Sequence, residues 1–125
     1  MTIRVPEKLV TYWNAMAGDF PPLLLRYTEN STLPQATYRA EAFGRDYENA
    51  GFRTDIHRYE IAIISDSAEV AFDLGTDAAE LLVGFAPPGT EMCTVQPAQW
   101  ATPMKQGQTD VWCFKINLEI RIVPA

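Results

Sequence analysis

The sequence predicts an α+β fold. It reads as a two-layer sandwich in which a mainly antiparallel sheet of about five strands carries two helices on one face, in the order helix, three strands, helix, two strands. Three observations carry this. Val111 to Val123 alternates cleanly, with Trp112, Phe114, Ile116, Leu118, Ile120 and Ile122 on one side and Lys115, Asn117, Glu119 and Arg121 on the other. That is the period of a half-buried strand. Asp66 to Phe85 has helical spacing instead, with Val70, Leu74, Ala78, Leu81 and Phe85 forming one apolar stripe. The other apolar runs are short and joined by turns, which favours antiparallel neighbours under a helical layer.

The elements follow in order. Val5 to Gly18 reads as a helix, with Pro6 in a first helical position and Leu9, Trp13 and Met16 at helical spacing. Gly18 and Pro21-Pro22 stop it. Leu23 to Tyr27 is a short strand, and Thr28 to Gln35 a turn-rich loop. Ala36 to Phe43 reads as a strand, a helix being the alternative. Gly44 to Asp55, with two glycines, reads as a hydrophilic connection. Asp55 to Ser65 is a firmer strand, with His57, Tyr59, Ile61 and Ile63 on one face. Its last residues are apolar on both faces, so that half is covered on both sides. Asp66 and Glu69 have the spacing of a capping box for the second helix, which Pro87-Pro88-Gly89 ends. Gly75 is a weak point inside it, costing ~1 kcal/mol against Ala. Glu91 to Gln96 is a strand, Pro97 to Asp110 a long connection, and Val111 to Val123 the closing strand.

Length and composition bound the function. The chain has 125 residues, 47% hydrophobic and 21% charged, which fits one globular domain over 1–125. No apolar run reaches the ~20 residues of a membrane helix, and no signal peptide is visible, so no membrane role is expected. The net charge of −6 argues against clamping nucleic acid. From Arg58 to Lys105 there is no intervening Lys or Arg, while the stretch carries seven carboxylates. Cys93 and Cys113 are too few for a disulfide framework, and a bridge between them needs their strands to pair in register.

Nothing in the pattern resembles an active site, and no enzyme activity, cofactor or metal is expected. His57 is the single histidine, so no Ser-His-Asp set exists without it, and Cys/His catalysis has no local signature. Two cysteines and one histidine do not make a zinc site. There is no phosphate-binding glycine motif. Glu69, Asp73, Asp77 and Glu80 recur at 4, 4 and 3 along the second helix, opposite its apolar stripe. They make an acidic face turned to water or to a partner, one that repels polyanions. Tyr47, Phe52 and Trp100 lie in the irregular segments, and Phe72 lies off the helix stripe. These four aromatics are the candidate subunit contacts.

The arrangement resembles the tail terminator (tail-completion) proteins of long-tailed bacteriophages. The resemblance rests on Arg58-Tyr59-Glu60-Ile61-Ala62-Ile63-Ile64 running directly into the acidic helix at Asp66. A Pro/Gly-rich connection and short strand follow, and the Trp-led strand Trp112 to Val123 closes the pattern. It spans nearly the whole chain, although the Gly44–Asp55 connection matches no family feature. The resemblance implies a non-enzymatic virion protein at the head-proximal end of the tail, assembled in the host cytoplasm. It implies a six-membered ring that caps the tail tube, stops its polymerisation and joins the head or neck-completion protein. Its partners are then itself, the tail tube protein and the neck protein, with DNA passing through unread. Glu69, Asp73, Asp77 and Glu80 would line the channel or a ring face. Three alternatives stand beside it: a sibling head–tail or minor tail protein, a small cytosolic enzyme or ligand-binding domain, and an adaptor whose acidic helix mimics nucleic acid.

Overall fold

The structure, a computed structural model, describes residues 5–16, 20–25, 33–47, 53–97, 102–106 and 109–123. Its elements are α1 (Val5–Asn14), β1 (Leu23–Leu24), β2 (Gln35–Tyr47), β3 (Arg53–Ser65), α2 (Ala68–Leu82), β4 (Thr90–Pro97), β5 (Thr102–Gln106) and β6 (Thr109–Ile122). The fold is α+β. The sheet runs β1-β2-β3-β6-β4, and β5 pairs with β6. β1 runs parallel to β2, and every other pairing is antiparallel. The sheet is therefore mixed, with six strands among the described residues where about five were expected.

Two segments read as connections are strand. Gly44–Tyr47 continues β2 and Arg53–Asp55 begins β3, in the register Arg45↔Asp55 and Tyr47↔Arg53. Charge hid them from the pattern. Asp55 holds both guanidiniums, Arg53 of its own strand at 3.0 Å and Arg45 across the ladder at 3.6 Å, so the hydrophilic residues are paired in the sheet. Likewise Thr102–Gln106, inside the expected Pro97–Asp110 connection, is β5 and pairs with Thr109–Cys113 of β6. β4 takes the remaining length of the same edge, from Ile116 to Ile122.

The alternation of β3 and β6 holds. Tyr59, Ile61, Ile63, Phe114, Ile116, Leu118, Ile120 and Ile122 form one buried cluster with Val5, Leu9 and Trp13 of α1 and with α2. A second, smaller cluster of Ile64, Val111 and Cys113, with Leu33 and Ala62 against it, covers the other face at the end of β3. α1 is anchored by two long hydrogen-bonded reaches. The Trp13 indole donates to the Pro21 carbonyl at 2.7 Å, and the Tyr12 hydroxyl donates to the Leu81 carbonyl at 2.6 Å.

α2 is rotated relative to the expected stripe. Its buried residues are Ala71, Gly75, Ala78, Ala79 and Leu82, while Val70 and Leu81 are exposed. Small side chains let the helix axis approach the sheet closely, and this outweighs the transfer gain of turning the larger residues inward. The cap also differs. Ser67 is the N-cap and its hydroxyl accepts from the Val70 amide at 3.3 Å, so Asp66 and Glu69 form no capping box. At the other end Phe85 lies beyond the helix, buried against Tyr12. Gly89, at φ +87°, turns the chain into β4, and its carbonyl accepts the Val123 amide.

Candidate functional site

Three surfaces of this fold could meet a partner. The first is the outer face of α2. Because Ala71, Gly75, Ala78 and Leu82 point to the sheet, the helical wheel turns Glu69, Asp73, Asp77 and Glu80 away from it. All four are exposed, as the sequence predicts, and among the described residues none has a cation partner. Val70 and Leu81 lie along one side of this acidic strip, exposed by 39% and 36%.

The second surface is the far half of the β2–β3 pair. Phe43 is 55% exposed, an unusual position for a phenylalanine in a regular strand. The Arg45 guanidinium lies 5.4 Å from its ring centre, and the His57 ring meets it edge-on at 5.0 Å. Next to His57, Tyr59 stacks in parallel at 6.5 Å. Burial among these rings lowers the His57 pKa, with the Asp55 carboxylate opposing the shift. Burial also pushes the Tyr59 phenol up to about 12. Sequence reasoning missed this surface because half of it lies in the segment read as a connection.

The third surface is the sheet face opposite the helices. The register sets Arg58 across from Glu119 and Arg39 across from Glu60. The Arg58 Nε donates to Glu119 at 2.7 Å, Arg121 approaches the same carboxylate at 3.6 Å, and Glu60 lies between Arg39 at 3.4 Å and Lys115 at 3.8 Å. The Arg58 hydrogen bond holds the Glu119 carboxyl below the usual carboxylate range. A bulge in β2 at Glu41 breaks the ladder. Beside it an open hollow of about 280 Å³ is lined by Glu41, Arg58, Thr94, Gln96, Asn117 and Glu119.

The four aromatic candidates divide. Phe72 is half-buried and packs against the core, its ring edge-to-face with Phe114 at 5.8 Å, a packing role that the sequence pattern did not predict. The rotation of α2 explains this packing, since the flank carrying Phe72 turns toward β6. Tyr47 ends β2, and its side chain lies outside the described residues, as do Phe52 and Trp100 entirely.

Cys93 and Cys113 do not face each other. Cys93 pairs with Ile120 on the helix-covered side, and Cys113 pairs with Ile64 in the cluster on the opposite side. Neither forms a disulfide, and burial raises both pKa values. Among the described residues no three His, Cys, Asp or Glu side chains converge as metal ligands, and no helix is long and apolar enough to cross a membrane. Compared with known proteins, the chain matches no family model and no curated protein.

Proposed function

We propose that the chain is a structural virion protein of the tail-terminator kind. In this reading it forms a ring, six-membered as the resemblance implies, that caps the tail tube and stops its growth. The ring offers the head or neck-completion protein a joining surface at the head-proximal end of the tail. The architecture that goes with it is a two-layer sandwich with both helices on one side of the sheet. The observation that supports it most is the separation of charge across the protomer. The α2 face carries four carboxylates with no cation partner among the described residues, while the opposite sheet face carries four cations against Glu41, Glu60 and Glu119. Identical subunits with unlike, complementary sides are suited to head-to-tail association, and such contacts form a ring when the rotation between subunits closes. An acidic wall also lets DNA pass without gripping it.

The test is solution mass by light scattering over a concentration series, followed by negative-stain imaging. A ring with a central hole is the expected result. The quadruple variant Glu69→Gln, Asp73→Asn, Asp77→Asn, Glu80→Gln should keep the fold and lose normal assembly or DNA passage. Tails of normal infectivity built from that variant would overturn the assignment of the acidic face.

The hollow on the open sheet face favours a second reading, a small domain binding a polar ligand. That reading predicts a monomer with a metabolite-dependent rise in Tm, abolished by Asn117→Leu.

A further inference from the structure

Resting on the ring reading above, we infer that the exposed Phe43 and Arg45 of β2 form the docking patch for the acidic helix α2 of a second copy of this chain. Two unbalanced charge sets on the same molecule point to this. Arg45 and Arg53 share the single carboxylate of Asp55, at 3.6 and 3.0 Å, so this corner holds one more cation than anion among its described partners. On α2, Asp73 and Asp77 have no cation among the described residues. The helix cannot neutralise itself, because no Lys or Arg lies between Arg58 and Lys105.

Apolar chemistry matches in the same way. Phe43 is 55% exposed on one patch, and Leu81 is 36% exposed beside Asp77 on the other. The spacings agree. Residues two apart on a strand, Phe43 and Arg45, stand ~6.7 Å apart. Residues one turn apart on a helix, Leu81 and Asp77, are offset by ~6 Å. Phe43 set on Leu81 therefore brings Arg45 to Asp77, with Asp73 one turn further along for Arg53. Aromatic and arginine side chains are the ones that dominate interface energetics.

The two patches are different surfaces of the protomer, the far margin of the helix-bearing sheet face and the outer face of α2. A contact in which each copy uses one patch toward each neighbour is head to tail, the kind a ring needs. Glu69 and Glu80 fall round the helix from Asp73, away from Leu81. Glu80 borders this contact, and Glu69, farthest round, remains available for a channel wall. His57 supports the patch from behind by holding the Phe43 ring edge-on at 5.0 Å.

The experiment is a charge exchange on the full chain, read by light scattering and sedimentation, with thermal unfolding as a folding control. Arg45→Glu alone and Asp77→Arg alone should each weaken self-association at least tenfold, and the double variant should regain most of it. Phe43→Ala, which leaves all charges in place, should weaken association to a similar degree. If the wild-type chain forms rings and none of these variants changes its mass distribution, the contact is wrong while the ring reading stands. If both single variants weaken assembly and the double variant does not recover, the pairing of Arg45 with Asp77 is overturned. A wild-type chain that stays monomeric at every concentration overturns both the contact and the ring reading.

Discussion

Gly75 of α2 lies flat against the ring of Phe114 on β6, so close that a Cβ on Gly75 would overlap the ring. Phe114 is itself buried and held by Phe72 from the side. Gly75→Ala should therefore destabilise the protein by about 2 kcal/mol, although alanine is favoured over glycine by ~1 kcal/mol in an open helix. Denaturant unfolding measures it. Adding Phe114→Leu should recover part of the loss, because the two sites share one contact. An alanine variant more stable than wild type would show that the helix lifts freely off the sheet.

Phe72→Ala separates packing from assembly. Its ring meets Phe114 and the core while the residue stays half-buried, so the loss should be about 2 kcal/mol, below the ~3–5 kcal/mol of a fully buried phenylalanine. Self-association of the folded fraction should not change. Weakened assembly at full stability would return Phe72 to the interface.

His57 gives stability a pH dependence of known sign. Burial depresses its pKa below the ordinary 6.5, so the unfolded chain takes up this proton at a higher pH than the folded one. Over that window the unfolded state binds more protons, and stability rises with pH. This contribution is fully present above pH 6.5 and is lost as pH falls through the lower folded value. Tm should drop between pH 7.5 and 5.5 in the wild type and drop less in His57→Gln. Equal slopes in both would remove His57 as the cause.

A second loss should begin lower. Arg58 holds Glu119 below the ordinary 4.5, so the stability that this pairing supplies is present above 4.5 and is lost as pH falls through the depressed value. Glu119→Gln should flatten the Tm profile below pH 4.5 and change stability at neutral pH by less than ~1 kcal/mol, since the pair is partly exposed. A large loss at pH 7 would mean that Glu119 organises the sheet face.

The thiols should behave independently. Cys113 is 2% exposed and Cys93 half-buried, on opposite sides of the sheet, with both pKa values raised by burial. A chromogenic thiol reagent at pH 7.5 should titrate Cys93 slowly and Cys113 only in denaturant. Fast stoichiometric labelling of both in the native protein would contradict their placement.

The legible parts of the fold are those where hydrophobic periodicity and burial coincide. β6 and the second half of β3 face the core on every second residue, and the sequence reports that directly. The rotation of α2 was not legible. Its helical period is plain, but a stripe of leucine and valine outranks one of alanine and glycine in any count of hydrophobicity. Only the Phe114 ring across from Gly75 shows why the smaller stripe is inside. Charged strand ends were hidden for a related reason: Asp55 pairs with Arg45 across the ladder and with Arg53 along its own strand, an arrangement visible only once the register is known. The acidic face was legible because carboxylates recurring at helical spacing opposite the apolar positions of α2 have one place to go, outward. The Phe43 patch was not, because an exposed phenylalanine has the same letter as a buried one.

β6 is the neighbour that β3, β4 and β5 share. Its pairing with β3 joins Ile61 to Ile116, roughly fifty-five positions later in the chain. The β2–β3 pair can form locally, but the sheet closes only when this distant strand arrives. The chain therefore has a high contact order, and it should refold in milliseconds to seconds instead of the microseconds open to a helical bundle. Until β6 docks, one long edge of β3 stays open, which makes the interval before docking the period of greatest exposure to strand-pairing errors.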